Sequence, residues 1–424
     1  MINIHELSQI LYKIPWLSII FYTFIIFLIL FVFVILYLKS KYGFWVSQPV
    51  FHVYDFSYYF YPPGIIRHDL PEKNKYTNFN DITTTVYEEL TYLQKKEIVY
   101  FVQEHYLKNG DNLYLPEAEQ IFPYFEGLNQ KGNNSTFFSI YWEKRLVSDL
   151  KKGTIMEDKK IIGLMTSRIV QIRIISKNKD HLIPMINAYY VDYLCVDKAY
   201  RKKGIAPQLI QTHEYTQRHL NQDIQICLFK REGELTGIIP LCVYTTYGFS
   251  VEKWRKPVTL SPCFRLLEFT KQNLNLLRDF LRENEYMFDI VIENSYTNLL
   301  SLIQTKNIYI YAVLEQDHIL CVYFFRKTCV FIEKDLEVLT CYASIKSKNC
   351  SQEVFIQGFK NSFWIIAEKD NFGFCAVENI SHNNILVQNL LLKTKPLVKS
   401  PTAYFFYNFA YPTFSAERVL FRGT

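Results

Sequence analysis

A short basic turn joins an apolar strand pattern to a helix pattern near the middle of the chain. Residues 189–196 are aromatic and β-branched with little polar interruption, which predicts a buried strand. Beyond the turn, one helix face is marked by apolar or small residues at spacings of 4, 3 and 4: Ile205, Leu209, Thr212 and Thr216. The turn itself contains Arg201, Lys202, Lys203 and Gly204.

This arrangement can bind an anion. The cations supply positive charge, Gly204 lets the backbone approach closely, and the amides of Ile205 and Ala206 would lie unpaired at a helix N-terminus. Pro207 fits the first helical turn, where its missing N–H costs nothing. The residues therefore predict a phosphate-binding turn. The alternative is a solvated turn that only caps the helix.

Three segments carry a more specific resemblance. The pattern V-D-x-x-x-R-x-x-G-I-A, at residues 196–206, resembles the acyl-CoA pyrophosphate loop of the GNAT acyltransferase superfamily. With residues 194–198 and 205–207, it resembles one branch, the glycylpeptide N-myristoyltransferase family. The string FWVSQPV at residues 44–50 resembles that family's N-terminal acyl-CoA-binding motif, and residues 407–419 resemble its C-terminal segment. For residues 44–50, the alternative is an ordinary docking strand with a buried Trp45.

The resemblance implies an α/β (α+β) fold with two GNAT-like halves. Each half would hold a mixed, mostly antiparallel sheet with flanking helices, and only the first would bind acyl-CoA. Helix patterns cover residues 86–106, 274–285 and 352–371, and strand patterns cover 159–170, 188–196, 224–229, 308–314, 318–324 and 373–377. The expected units are an anchor at 1–40, an N-terminal half at 41–260 and a C-terminal half at 261–424.

The resemblance also implies a reaction. The family moves a long-chain acyl group, typically myristoyl, from acyl-CoA to the N-terminal glycine amine of proteins. An oxyanion develops in such a reaction and needs preorganised donors. The family's donors are two backbone amides that match Tyr193 and Leu194, and a local bulge of the strand would free them. The family's base is the terminal carboxylate, which here belongs to Thr424. Asp192 either holds or deprotonates the glycine ammonium, or is an ordinary ion-paired strand residue.

Acyl-CoA would contact residues from the two matching motifs. The positions are Phe44, Trp45, Leu194, Cys195, Val196, Arg201, Lys202, Lys203, Gly204, Ile205, Ala206 and Pro207. This mechanism requires no nucleophilic thiol, so a small core residue is the favoured interpretation of Cys195.

The peptide site departs from the family's pattern. Tyr106, Asp111 and Asn112 match its peptide loop, but Lys108 lies within the stretch where the family has acidic residues. Phe249 lies near the place of an aromatic-His-Arg stretch whose histidine is missing here, and Lys399 matches an aspartate that meets a basic peptide residue. These changes predict a peptide groove whose negative field is lost or reversed.

Composition limits the other functional classes. Hydrophobic residues make up 49% of the chain and charged residues 21%, as in a folded protein. A net charge of +6 suits an anionic small ligand or a membrane surface but is too dispersed for nucleic acid. The nine cysteines form no C-x-x-C pair and no histidine has metal-ligand spacing, so we expect no metal and no permanent cofactor. We expect a monomer with acyl-CoA as a co-substrate.

Residues 15–38 contain no charged side chain. At 1.5 Å per residue, a helix of this length covers about 36 Å and can cross a hydrocarbon core of roughly 30 Å. A signal peptide would have a shorter apolar region and a cleavage site of small residues. We therefore predict a single-pass membrane anchor, with the catalytic part in the cytosol.

The sequence thus predicts a membrane-anchored acyltransferase resembling the N-myristoyltransferases. The alternatives are a GNAT enzyme that uses another acyl-CoA or a lysine acceptor, a catalytically weak acyl-CoA-binding membrane scaffold, and an enzyme of ordinary acyl chemistry with an unusual peptide set.

Overall fold

The computed structural model describes residues 16–107, 113–126, 136–149, 154–175, 185–233, 237–333 and 336–422. Within these ranges the helices are α1 Trp16–Val46, α2 Phe56–Phe60, α3 Tyr92–His105, α4 Ala118–Ile121, α5 Ile205–Leu220, α6 Leu274–Asn284, α7 Tyr296–Gln304, α8 Gln352–Asp370 and α9 Asn383–Leu391. The strands are β1 Gly64–Ile65, β2 Ile82–Val86, β3 Leu113–Tyr114, β4 Phe137–Asp149, β5 Thr154–Ile174, β6 Ile186–Val196, β7 Ile226–Glu232, β8 Cys242–Ser250, β9 Phe264–Glu268, β10 Ile290–Glu293, β11 Ile308–Glu315, β12 His318–Glu333, β13 Leu336–Lys346, β14 Phe372–Glu378, β15 Val398–Tyr407, β16 Phe409–Ala410 and β17 Val419–Arg422.

One large mixed sheet dominates the fold. Its main path runs β17-β10-β5-β6-β7-β15-β8-β14-β13-β12-β11-β9, with β4 on β5, β2 on β4 and β3 on β12. Most neighbours are antiparallel, while β6–β7, β10–β17 and β13–β14 are parallel. The α/β class and the mixed, mostly antiparallel sheet expected from the sequence are confirmed.

Strands from both halves of the sequence interleave. The late strand β15 lies between β7 and β8, and β10 and β17 extend the sheet beyond β5. Their apolar side chains form one core cluster in which Tyr190 and Leu228 are packed together with Tyr404 and Phe421. The boundary predicted at 260/261 remains a prediction. Cutting the chain there would expose strand edges and apolar side chains on both sides.

Helix α5 packs closely on β5 at the centre of the first half. A Cβ atom at Gly163 would lie 2.8 Å from Leu209 Cδ1, so only glycine permits this approach. Gly204, just before the helix, has φ 78° and supplies the left-handed turn that starts it. The strand–turn–helix predicted around Gly204 is therefore confirmed.

The structure corrects one predicted helix boundary and excludes one alternative. The helix expected over residues 86–106 begins at Tyr92, because Thr91 and Gln94 form a capping box and Val86 belongs to strand β2. The docking strand considered for residues 44–50 does not exist. Helix α1 continues to Val46 and passes into a turn, with a break in its helical geometry at Gly43.

Helix α1 contains a stretch, Leu17–Tyr37, that is long and apolar enough to cross a membrane. None of the residues in its most apolar window is buried against the rest of the protein. A helix with this much exposed apolar surface needs a partner other than water.

Candidate functional site

Strand β6 is irregular at the two residues predicted to stabilise an oxyanion. Leu164 of β5 pairs with Cys195 and Thr166 pairs with Asp192, so one β5 residue faces both Tyr193 and Leu194. Tyr193 has a positive φ of 31°. This is a β-bulge, which interrupts the regular ladder of backbone hydrogen bonds. The bulge suggested by the sequence is present, while the catalytic role of the two amides remains a prediction.

Strands β6 and β7 separate just before this bulge. Their parallel pairing runs from Ala188–Ile226 to Val191–Phe229 and then stops, although both strands continue. A cavity of about 450 Å³ lies beside the separation, bounded by the two strands and by α5. Eight predicted site residues line it: Phe44, Trp45, Tyr106, Asp192, Tyr193, Leu194, Ala206 and Pro207.

The end of helix α1 forms one wall of this cavity. The ring of Trp45 stacks on that of Phe229 with centroids 5.8 Å apart, and the Phe44 ring meets Tyr76 at 5.0 Å. His52 Nε2 lies 2.9 Å from the Trp45 carbonyl oxygen and holds the backbone after the helix. The N-terminal motif is thus fixed by contacts with the folded domain.

The basic turn comes just before Ala206 and Pro207, which line the cavity. The Arg201 guanidinium donates hydrogen bonds to the carbonyl oxygens of His105 at 2.9 Å and Val196 at 3.3 Å, so this side chain ties α3 to the turn. Lys202 and Lys203 are exposed. The two lysines are therefore better placed than Arg201 to meet a phosphate.

Asp197 fixes the start of the turn. It is 4% exposed, accepts a hydrogen bond from Lys160 Nζ at 2.7 Å and another from the Ala199 amide at 2.9 Å. Burial alone would raise the pKa of Asp197, but the bonds from Lys160 and Ala199 outweigh it and the pKa lies below its ordinary value. Asp197 stays charged and serves as a structural anchor.

A chain of polar contacts connects Asp192 with the last described strand. Arg168 Nε donates to Asp192 Oδ2 at 2.9 Å, and Arg168 Nη1 donates to Asn294 Oδ1 at 2.7 Å. The Asn294 amide donates to the Arg422 carbonyl oxygen at 3.5 Å. Arg168 is only 1% exposed. Asp192 is therefore ion-paired and also lines the cavity, while its role toward the glycine amine remains a prediction.

Tyrosine rings surround this ion pair. Arg168 Cζ lies 4.8 Å from the Tyr190 ring centroid and 5.4 Å from that of Tyr124, and the Tyr106 ring meets Tyr193 at 5.3 Å. Burial raises the pKa of Tyr124 to about 12 and raises those of Tyr106 and Tyr190. These hydroxyls stay protonated at neutral pH and can donate hydrogen bonds.

A second charge cluster lies on the β7 side. Glu378 is 3% exposed; Lys230 Nζ lies 3.0 Å and Arg326 Nη2 lies 3.4 Å from Glu378 Oε1, and the Tyr244 hydroxyl donates to Oε2 at 2.7 Å. Burial would raise the pKa of Glu378, but Lys230 and Arg326 outweigh it and hold that pKa below its ordinary value. Together with Arg168 and Asp192, these groups comprise three cations and two carboxylates near the bulge.

His213, which also lines the cavity, adds a polar group that is uncharged. This imidazole lies between Ser139 Oγ at 2.8 Å and Ser167 Oγ at 2.9 Å, and burial lowers the pKa of His213 to about 3. The neighbouring Glu214 carboxyl accepts hydrogen bonds from Tyr407 and Gln211, and burial raises the pKa of Glu214.

Most of the chain is similar in structure to solved structures of one enzyme. Crystal structures of Saccharomyces cerevisiae N-myristoyltransferase with bound myristoyl-CoA match it with TM-scores of 0.66 and 0.67. The identities are 13% and 14%, with 88% and 89% of this chain and 94% and 90% of the solved chains covered. The chain has the N-myristoyltransferase fold.

Other comparisons give a coarser result. A tandem GNAT protein from the clavulanic acid biosynthesis pathway matches with a TM-score of 0.52 at 8% identity, over 79% of this chain and 100% of that one. No protein-family model and no curated protein sequence matches the chain. The similarity to the N-myristoyltransferase fold is therefore one of structure rather than of sequence.

Within this fold, the predicted site residues do not all come together. Cys195 is 4% exposed in a core cluster, and burial raises the pKa of its thiol to about 12, which agrees with a structural role. Phe249 is fully buried in another core cluster, and Lys399 is exposed; neither lines the cavity. Lys108, Asp111, Asn112 and Thr424 lie outside the described residues.

Several residues near the cavity were not predicted from the sequence. They are Arg168, His213, Glu214, Lys230, Arg326, Glu378 and Tyr407. Four of these residues could have been singled out from the sequence, because a charged residue inside an apolar strand is rarely buried without a partner. Arg168, Lys230, Arg326 and Glu378 each interrupt or follow such a run. The pairing between these charges depends on strand order, which the sequence pattern does not reveal.

Proposed function

We propose that the protein is an acyltransferase that moves a long-chain acyl group, typically myristoyl, from acyl-CoA to the N-terminal glycine amine of a protein. The observation that carries this proposal is the cavity between the separating strands β6 and β7. It has a backbone bulge at Tyr193 and Leu194, and the basic turn leads into its lining residues Ala206 and Pro207. The solved structures that share this fold hold myristoyl-CoA, which supports the choice of co-substrate.

In this reaction the amine nitrogen attacks the thioester carbonyl carbon. The carbonyl oxygen becomes an oxyanion, for which the amides of Tyr193 and Leu194 are the proposed donors. The amine then loses a proton, the carbon–sulfur bond breaks, and the CoA thiolate leaves. Backbone donors fixed by a strand require no reorganisation during the step, so the two side chains need no special chemistry.

The acceptor amine would lie near Asp192, whose charge is already paired with Arg168. An α-amino group has a pKa of about 7.7–8.0 and needs only a weak base. We propose the carboxylate of Thr424 for this role. The described chain reaches Arg422, whose carbonyl oxygen is linked through Asn294 and Arg168 to Asp192. Two further residues add at most about 7 Å of chain beyond Arg422, which limits how far the carboxylate of Thr424 can lie from Arg422.

The charges around the cavity suggest which acceptor peptides the enzyme prefers. Among the groups that line the cavity and the ion pairs linked to them, cations outnumber carboxylates by one: the cations are Lys230, Arg231, Arg168 and Arg326, and the carboxylates are Asp192, Glu214 and Glu378. Like charges oppose one another across an interface, so we propose that acceptors with acidic or neutral residues after the glycine bind better than lysine-rich ones. The same preference is predicted from Lys108 and Lys399. Here it rests instead on the charged groups at the cavity and the ion pairs linked to them.

The proposal includes a place of action. Helix α1 would anchor the protein in a membrane through Leu17–Tyr37, and the remainder would work on the cytosolic side. Acyl-CoA is an amphiphile found in that compartment. The anchored enzyme would then meet both the acyl donor and newly made protein N-termini.

The test is an acyl-transfer assay with product masses as the readout. The full chain in detergent is incubated with acyl-CoAs of 2 to 18 carbons and with Gly-starting peptides. Matched controls carry an acetylated N-terminus together with an internal lysine. We expect a mass gain only on peptides with a free glycine amine, largest with long chains. Transfer to lysine in the acetylated peptides would point to another GNAT acceptor, and tight acyl-CoA binding without transfer would point to a scaffold.

The acceptor charge is tested with the same assay. Peptides that differ only in an acidic, neutral or lysine residue downstream of the glycine are compared. The KM should be lowest for the acidic peptide, and Arg231→Met, which removes an exposed cation that lines the cavity, should narrow the difference in KM between the peptides. Lys253→Met, which changes an exposed lysine that does not line the cavity, is the control. A strong preference for lysine peptides would reject this assignment.

A further inference from the structure

A contiguous aromatic patch lies on the surface next to helix α1. It consists of Phe56, Tyr59, Phe60 and Tyr61, which are 55%, 46%, 78% and 83% exposed. Single exposed apolar residues are ordinary on a soluble protein, whereas a group of large aromatic side chains marks an interaction site. The patch is followed by Pro62 and Pro63, which are also exposed. The aromatic patch therefore needs a partner.

The orientation of the patch is fixed from within the protein. Phe51 is 3% exposed, and its ring contacts those of Tyr58 at 5.7 Å and Tyr59 at 4.9 Å. The backbone before α2 is held by Asp55, whose carboxylate accepts from the His52 amide at 2.8 Å. Phe56 and Phe60 are therefore presented outward by a short helix whose other side is docked.

Helix α1 indicates what the partner is. The ring of Phe31 contacts the ring of Phe56 with centroids 5.7 Å apart. Phe31 lies six residues before Tyr37, the end of the stretch that can cross a membrane, which corresponds to a depth of about 9 Å along the helix. The Phe56 ring centroid lies 5.7 Å from that of Phe31, which is less than this depth, so Phe56 would be inside the lipid whenever α1 is.

We propose that Phe56–Tyr61 is a second membrane contact, which enters the same leaflet as the C-terminal end of the span. This inference rests on the proposed insertion of α1 in a bilayer. Aromatic side chains with polar tips suit the membrane interface, which fits Tyr59 and Tyr61, while Phe56 and Phe60 suit the deeper acyl region. The partner is the lipid itself and not another protein.

This contact places the candidate site at the bilayer surface. Phe44, in the cavity wall, follows Tyr37 by seven residues that are helical up to the break at Gly43, so it lies within about 10 Å of the end of the span. His52 contacts both the Trp45 carbonyl oxygen and Asp55, so the cavity wall and the aromatic patch are linked through one side chain. With two membrane contacts, the domain cannot rotate freely about the span, and the cavity is held next to the lipid from which an acyl chain can enter.

The experiment uses the full chain in phosphatidylcholine vesicles. The photoreactive residue p-benzoylphenylalanine replaces Phe60 or Tyr61 in separate variants, and cross-linked lipid is measured by mass after illumination. Phe27, within the span, is the positive control. Leu392, which is 85% exposed at the end of α9, is the control for chance encounters with lipid. Exposed positions accept the larger ring without a change in the core.

We expect lipid adducts at positions 60 and 61 to approach the yield at 27 and to exceed that at 392 by about tenfold or more. Equal yields at 60, 61 and 392, or adducts to protein instead of lipid, would overturn the inference while the span stands. Absence of lipid adducts at position 27 would reject the insertion of α1 and the inference with it. The assay does not involve acyl transfer, so its result is independent of the proposed reaction.

Discussion

Buried charges in apolar strands define the polarity of the candidate site. Arg168 is held by Asp192 and Asn294, and Glu378 by Lys230 and Arg326. Removing one partner from a buried pair typically costs about 3–5 kcal/mol, because the other charge is left without compensation. These residues are consequently poor choices for testing catalysis alone. The exposed lysines of the basic turn are better, since neither forms an ion pair among the described residues and the one ring contact, of Lys203 with Tyr200 at 4.6 Å, lies at the surface.

The first prediction concerns Lys202 and Lys203. The double variant Lys202→Ala, Lys203→Ala should weaken acyl-CoA binding by roughly tenfold or more, as expected for losing hydrogen bonds to charged groups. The loss should be larger at low salt, where exposed charges are less screened. Titration calorimetry with a long-chain acyl-CoA measures it.

The matched control is Lys253→Ala with Lys256→Ala, an exposed pair that does not border the cavity. It removes the same net charge from the protein. An equal loss of affinity in both double variants would mean that the basic turn acts only through overall charge.

The second prediction concerns stability against pH. His213 binds no proton in the folded protein until about pH 3, whereas an unfolded histidine titrates near 6.5. The unfolded state therefore binds more protons between these values, and stability falls as pH is lowered through this window. Through His213, the free energy of unfolding at pH 5 should be about 2 kcal/mol lower than at pH 7, because each pH unit below 6.5 corresponds to about 1.4 kcal/mol.

Denaturant unfolding of His213→Gln at pH 7 and pH 5 tests this value. Glutamine can still bond to Ser139 and Ser167, so the variant should lose less stability between the two pH values than the parent. His382, whose pKa is lowered to about 4 chiefly by burial, still titrates and leaves part of the dependence. An unchanged pH dependence would show that His213 is accessible to protons in the folded state.

At the scale of elements, strand β6 and helix α5 were predictable from the sequence. The apolar run, the glycine in the turn and the helix periodicity each require one local conformation, and the structure has all three. Strand β15 was not predicted, although it lies in the middle of the sheet. Its first residues, Val398 and Lys399, are exposed, and its partners in β7 and β8 are about 150 to 180 residues away in sequence. Pairing at that distance leaves no local pattern.

The third prediction belongs to the C-terminal segment after β17. Adding residues beyond Thr424, or deleting Gly423 and Thr424, moves any carboxylate at that position by several ångströms. Turnover should fall by roughly 10²–10⁴, the usual contribution of a positioned base, with little change in acyl-CoA affinity. Steady-state kinetics and direct binding measurements separate these two effects.

Thr424→Ala is the control, because it changes the side chain and retains a carboxylate at the same position. It should keep most of the turnover. If the extended chain is as active as the parent, the base is another group, and Asp192 becomes the first candidate because it lines the cavity.

For the whole molecule, the main question is how the apolar N-terminal helix relates to the folded domain. The sequence gives the span and the motif after it as two separate features, and the structure joins them in one helix, α1, that ends in the cavity wall. If the span alone held this wall in place, it would also shape the cavity. However, Trp45 is held by Phe229 and by His52, both of which belong to the domain.

The last prediction follows from these contacts. Removing residues 1–40 should leave the cavity wall intact, because Phe44 and Trp45 remain and their partners Tyr76, Phe229 and His52 are unaffected. The shortened protein should keep its turnover within about threefold of the parent in mild detergent, while its yield in sedimented membranes falls. Trp45→Ala in the shortened chain should lose acyl-CoA affinity, since the stack on Phe229 is gone. Activity that disappears on truncation and is not restored by detergent or lipid would instead show that the span itself holds the acyl site in shape.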